Sequence, residues 1–332
     1  MRRRSLLLAV PAGLLTLAGC GDDKPDKSSA SSSSSPSPAN SAAPSAKIVS
    51  GPVPDITKGI KFGEKPTVAK GTGKPSSDLA VKTVVQGDGV TVAKSDFLQA
   101  NYLGQIWDTA KVFDNSYDRG APAVFQIGVG QVIPGWDQAL VGKKAGSRVE
   151  LVLPPALGYG EQGNPQAGIK GTDTLVFVVD IVDSFNGKSS AKGDTATQDD
   201  KALPKVGTDT DGKAPSIDVP KTAAPTKLVS EYVIEGDGAE LKADDQVLVQ
   251  YKGVLWADGK EFDSSYKRGQ LTQFSLQQVV KGWAQGLTGK KVGSRVLIVV
   301  PPALGYGDNP PKDSPIKKDS TLVFSVDILA KM

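Results

Sequence analysis

The strongest constraint on the fold is that the chain repeats itself. Residues 138–160 read QALVGKKAGSRVELVLPPALGYG and residues 285–307 read QGLTGKKVGSRVLIVVPPALGYG, identical at 17 of 23 aligned positions. The match runs backwards: Tyr102 pairs with Tyr251, Phe113-Asp114 with Phe262-Asp263, Gly87-Asp88-Gly89 with Gly236-Asp237-Gly238, and Leu79 with Leu228. Forwards, Thr174-Leu175-Val176-Phe177 pairs with Thr321-Leu322-Val323-Phe324. A unit of about 115 residues is too long for a solenoid repeat of about 20–50 residues and suits a domain. The expected layout is one domain over 66–185, a polar linker over 186–214 and a second domain over 215–332. A duplicated domain on flexible linkers implies two independent sites rather than one shared cleft.

Within each copy, apolar and polar residues alternate in short runs, as at 97–103, 247–251 and 297–300, and turn signals such as Asp258-Gly259 separate the runs. The closing strands, 174–182 and 321–329, are richer in Val, Phe and Ile. One short helix is expected at 136–141 and again at 283–288, closed by Gly142 and Gly289. Each copy therefore reads as an α+β domain, an antiparallel sheet with one short helix packed on it.

The side-chain inventory excludes most chemistry. There is no histidine in the 332 residues, and Cys20 is the only cysteine. Histidine-assisted nucleophiles, the usual zinc sites and internal disulfides are thereby excluded. No metal and no cofactor are expected. The net charge of +3 comes from Arg2, Arg3 and Arg4; beyond residue 20 there remain 36 basic and 36 acidic side chains. That balance argues against a nucleic-acid partner.

Residues 1–20 read as a signal peptide, with a basic start and an apolar run over 6–18 that is too short to span a bilayer. The run ends in Leu17-Ala18-Gly19-Cys20, which resembles a bacterial lipobox. Cys20 would then carry the lipid that anchors the chain to the outer side of the cell membrane. Residues 21–65, with the run Ser31–Ser35 and many Pro and Ala near their start, are expected to be a disordered tether.

The second copy holds, in order, Tyr251-Lys-Gly, Asp258-Gly-Lys-Glu-Phe262-Asp263-Ser-Ser, Arg268-Gly269, Val279-Val280-Lys-Gly-Trp283, Pro302-Ala-Leu-Gly-Tyr306-Gly and Thr-Leu-Val-Phe324. This series resembles the FKBP-type peptidyl-prolyl cis-trans isomerases, and the resemblance covers both copies almost end to end. It implies a curved antiparallel sheet around one short helix and an apolar pocket that accepts a proline ring. The floor would be Trp136 or Trp283. The walls would be Tyr102, Phe113 and Phe177, and likewise Tyr251, Phe262 and Phe324. Val132-Ile133 and Val279-Val280 would form a ledge, with the N–H of Ile133 or Val280 holding a substrate carbonyl. Tyr159 and Tyr306 would donate hydroxyl hydrogen bonds, and Asp114 and Asp263 would supply buried carboxylates. Ile169 and Ile316 match an apolar flap contact; Arg119 and Arg268 match an arginine that pairs near the aspartate.

The inventory suits this reaction. Rotation about an X-Pro bond has a barrier of about 18–20 kcal/mol because the planar amide is resonance-stabilised. Twisting it makes and breaks no bond, so no nucleophile is required. A dry aromatic pocket favours the less polarised twisted amide. The expected activity is isomerisation of X-Pro bonds in exported proline-containing polypeptides by a monomer with one site per domain. The alternative is a non-catalytic module that grips proline-containing segments in the same pockets. Macrolide inhibitors are a further ligand class implied by the resemblance. Against the family pattern, an aromatic wall position holds Ala123 or Thr272, an acidic position before the ledge holds Gln131 or Gln278, and the second copy is two residues shorter ahead of Trp283.

Overall fold

The computed structural model describes residues 45–332. The signal-peptide and lipobox expectations, Cys20 included, lie outside them. Each copy builds its own seven-stranded sheet. In the first the strands run in space Ile48–Val49, Leu79–Val85, Arg148–Leu153, Leu175–Phe185, Phe97–Ile106 and Val112–Asn115, with Ala123–Gln126 also paired to Phe97–Ile106. The second repeats that order as Asp194–Thr195, Val229–Glu235, Arg295–Val300, Leu322–Lys331, Gln246–Leu255 and Glu261–Ser264, with Thr272–Ser275 paired to Gln246–Leu255. Neighbours are antiparallel throughout, except that Ile48–Val49 lies parallel to Leu79–Val85.

The helices are Pro134–Ala139 and Lys281–Leu287. The first starts two residues ahead of its expected position because Pro134, with its fixed φ and missing N–H, suits a first turn. Gly142 and Gly289 lie just past the helices with left-handed φ of 84° and 82°. A four-residue helix, Ser265–Arg268, and its one-turn counterpart Tyr117–Arg119 follow the Phe-Asp strands.

The central strand Leu175–Phe185 shows why these sequences are so apolar. Side chains alternate between the two faces of a strand. Leu175, Phe177, Val179 and Ile181 enter the core beneath the helix, whereas Val176 and Val178 enter a separate cluster on the other face. Both faces are therefore covered.

The outer face is covered by segments that the sequence had assigned to tether and linker. Residues 45–65 do not all belong to a tether: Ile48–Val49 joins the sheet edge, Ile56–Lys58 forms a hairpin with Thr67–Val68, and Val49, Val53 and Ile56 pack on Ala80, Val152, Val176 and Val178. Residues 186–214 do not form a bare linker either. Ala191 and Val206 are buried, Lys205–Val206 pairs with Ile217–Asp218, and Leu203 and Ile217 pack with them against Leu297, Val299 and Val323. Each sheet thus wears a strap drawn from the chain just ahead of it.

A buried ion pair fastens each strap. Arg148 holds Asp180 through two hydrogen bonds, and both side chains are fully buried. The remaining guanidinium donors reach the strap carbonyls of Gly59 and Glu64. Arg295 holds Asp327 in the same way and donates to the carbonyls of Gly207 and Asp209. Free strap carbonyls thereby find donors, and the buried cation gains acceptors beyond its partner.

The two units also meet. Phe185 packs with Leu248, Leu329 and Ala330, and Phe97, Val124, Leu271 and Met332 pack against that cluster.

Candidate active site

The site begins with a glycine. A Cβ on Gly104 would stand 2.7 Å from the rings of Phe113 and Phe177; on Gly253 it would stand 2.6 Å from Phe262 and 3.0 Å from Phe324. Only glycine lets the two phenylalanines close over the strand, which gives the Tyr-x-Gly pattern its physical reason. Above that point the helix delivers Trp136. Its ring meets Tyr102 at 5.3 Å, Phe125 at 5.4 Å and Phe177 at 5.4 Å between centroids, all edge-on. Phe113 meets Phe177 at 5.5 Å. The second copy repeats the box: Trp283 lies 5.4 Å from Tyr251, 5.1 Å from Phe274 and 5.2 Å from Phe324, and Phe262 lies 5.4 Å from Phe324. Edge-on rings stabilise one another and fix an apolar box of defined shape. The Trp136 indole N–H is buried with no partner among the described residues.

A polar edge completes the box. The Tyr102 hydroxyl donates to Asp114 Oδ2, and Arg119 donates from Nη1 to Asp114 Oδ1 at 2.6 Å and from Nη2 to the Tyr102 hydroxyl at 2.8 Å. The guanidinium lies 5.4 Å from the Tyr102 ring centroid. Tyr251, Asp263 and Arg268 form the same triangle. Burial, reinforced by the aspartate, pushes the Tyr251 phenol up to about 12 and Tyr102 higher still. Both hydroxyls therefore stay neutral donors. The aspartates are not buried as the resemblance implied: their side chains are 23% exposed at Asp114 and 41% at Asp263. They stand on the rim, where arginine and solvent both reach them.

The remaining expected residues are brought to the same region. Ile169 and Ile316 are buried in the two cores. Val132, Ile133, Val279 and Val280 are half-buried against those cores, and Ile133 and Val280 cap the N-termini of the helices. Tyr159 is half-buried and packs on the core, whereas Tyr306 is 37% exposed.

Three further residues escaped the sequence reading. Phe125 and Phe274 close the wall that Ala123 and Thr272 leave thin; their place two residues further along the same strand was a usable signal, since alternate residues share a face. Asp137 accepts from the Gly128 and Gly130 amides at 2.6 Å each and so ties down the loop ahead of the ledge. The shorter second loop has Ala284 in its place.

A family model described as FKBP-type peptidyl-prolyl cis-trans isomerase matches residues 89–182 and, again, residues 238–329. The chain belongs to this family. Each of its sheets is one FKBP domain, and the two stand in tandem. The chain is 43% identical over 119 residues to the FK506-binding protein of Streptomyces anulatus, which covers 36% of this chain and 96% of that protein. It is 32% identical over 245 residues to the peptidyl-prolyl cis-trans isomerase FKBP10 of Mus musculus, 72% of this chain and 35% of that protein. It thus spans about a third of the length of that longer relative. The crystal structure of AtFKBP13 matches with 35% identity, covering 33% of this chain and 94% of that one, at a TM-score of 0.31.

Proposed function

We propose that this chain isomerises X-Pro peptide bonds with one working site in each FKBP domain, and that its substrates are exported polypeptides. The observation that carries the reading is the duplicated aromatic box with its Tyr-Asp-Arg edge. A proline ring entering between Trp136, Tyr102 and Phe177 leaves water behind. A planar amide loses more hydration there than a twisted one, because rotation removes the resonance that charges its oxygen. The box therefore lowers the cost of rotation relative to water. The edge triangle adds a fixed polar rim, its tyrosine hydroxyls committed to the aspartates, and supplies no nucleophile.

The exported setting rests on residues 1–20, whose apolar run and Cys20 fit a lipid-anchored precursor. In that setting slow X-Pro isomerisation limits the folding of newly exported chains. Macrolides that fill the same box are proposed as competing ligands.

Exchange spectroscopy on a Phe-Pro peptide tests the catalytic reading. Acceleration of cis-trans exchange at substoichiometric protein supports it. Saturable binding of the peptide without acceleration overturns it in favour of a proline-segment holdase.

A further inference from the structure

The two sites differ in what stands behind the arginine. In the second domain Arg268 ends the helix Ser265–Arg268 and Gly269 caps it. The chain leaving the first domain runs directly against that cap. A Cβ on Gly187 would stand 2.5 Å from the carbonyl oxygen of Gly269 and 3.0 Å from its carbonyl carbon, so only glycine permits this approach. The Gly187 carbonyl accepts from Gln250 Nε2 at 2.9 Å. Gln250 is fully buried, and its other amide atom, Oε1, accepts from Ser265 Oγ at 2.5 Å. Ser265 opens the helix and in turn accepts from the Tyr251 amide at 2.8 Å. The Gln250 amide therefore joins the interdomain segment to the start of the turn that carries Arg268, while Gly187 itself packs against the end of that turn.

The first domain has the same serine but a shorter partner. Ser116 accepts from the Tyr102 amide and donates to Asn101 Oδ1. Asn101 stands where the second copy has Gln250.

We infer that Gly187 and Gln250 are positioning residues for the second site, which takes its working geometry from the segment joining the two domains, whereas the first site does not depend on them. The inference rests on the proposal that each domain holds a working site. The arginine triangle must be held to well under an ångström, since misplacement of about 1 Å can lower a rate by about a hundredfold. Gly187→Ala would push on the Gly269 carbonyl directly. Gln250→Asn would install the first domain's residue, keep an acceptor near Ser265 and lose the reach to Gly187.

The test uses residues 45–332, which contain every strand and both cores described above. Each site is read alone, with the other silenced by Asp114→Val or Asp263→Val. Gly187→Ala is expected to lower kcat/KM at the second site by about fivefold or more and to leave the first site within error. Gln250→Asn is expected to do the same by a smaller factor. Amide hydrogen exchange provides a readout independent of catalysis: both variants should speed exchange at residues 265–269 and not at 116–120. Equal losses at both sites, or an unchanged ratio of exchange between the two turns, overturns the inference. A second site with no activity in the parent would defeat the one-site-per-domain proposal, and the exchange ratio would still decide this one.

Discussion

The Arg119 guanidinium donates to Asp114 at 2.6 Å and to the Tyr102 hydroxyl at 2.8 Å, while Tyr102 itself donates to the same aspartate. Three side chains from one strand, the next strand and the turn after it thus form a closed triangle at the mouth of an aromatic box. The pairing recurs between Arg268, Asp263 and Tyr251. Its value lies in geometry rather than in ion-pair energy, because both arginines are partly exposed and such pairs contribute at most about 1 kcal/mol.

Tyr102→Phe and Tyr251→Phe remove one hydroxyl each and leave the ring in place. Each is expected to cost about 1 kcal/mol of stability and to lower kcat/KM at its own site by about fivefold to tenfold. Isomerisation assays on singly silenced chains check this, with thermal melts run alongside.

Trp136→Ala and Trp283→Ala empty the floor of a box that three other rings contact. The expected stability loss is about 3–5 kcal/mol in the affected domain, with loss of peptide binding at that site only. Two-transition denaturation curves and peptide titrations report the two effects separately.

The buried pair Arg148–Asp180 is fully enclosed and also anchors the strap. Arg148→Met alone leaves an unpaired buried carboxylate and is expected to cost about 3–5 kcal/mol. The double variant Arg148→Met with Asp180→Leu should recover only part of that loss, because the carbonyls of Gly59 and Glu64 and the Gly63 amide stay without partners. Urea melts of the two chains give the comparison.

Glu150 makes the first domain pH-sensitive. It is fully buried on the strap side of the sheet, and neither carboxylate oxygen has a partner among the described residues. Burial pushes its pKa up to about 7, with Asp55 of the strap raising it further and Lys82, its cross-strand neighbour, opposing. The folded chain thus binds this proton more tightly than the unfolded one. The stabilisation is complete below about pH 4.5 and is lost as pH rises through about 7, on the order of 3 kcal/mol in all. The second copy has Leu297 at this place. Glu150→Leu should raise the first domain's Tm at pH 8, change it little at pH 4.5 and flatten the dependence between. Melting curves across that range check it.

Much of this was legible in the sequence, and the reasons are local. Tyr102, Phe113, Trp136 and Phe177 were legible as site residues through the resemblance to the family, while their matched places in the two copies showed only that the unit is duplicated. The straps did not. Residues 45–65 and 186–214 offer only isolated apolar residues such as Val53, Ile56, Ala191 and Val206, with no period of two or 3.6 to mark a strand or helix. Their hold comes largely from backbone carbonyls at Gly59, Glu64, Gly207 and Asp209, and a carbonyl carries no sequence signature. The exposure of Asp114 was equally hidden, since it depends on how the next turn, 117–120, leaves the rim open. Contact between the domains rests on residues such as Phe185 and Leu329 at strand ends, which read in sequence as ordinary core.

The central claim is that each domain isomerises prolyl bonds independently. The most direct test compares isomerisation rates of residues 45–332 with Asp114→Val, Asp263→Val and both together, on one Leu-Pro peptide. The account predicts substantial activity in the parent and in each single variant, and loss of nearly all of it in the double. An inactive folded parent, or a single variant that already abolishes activity, would contradict it.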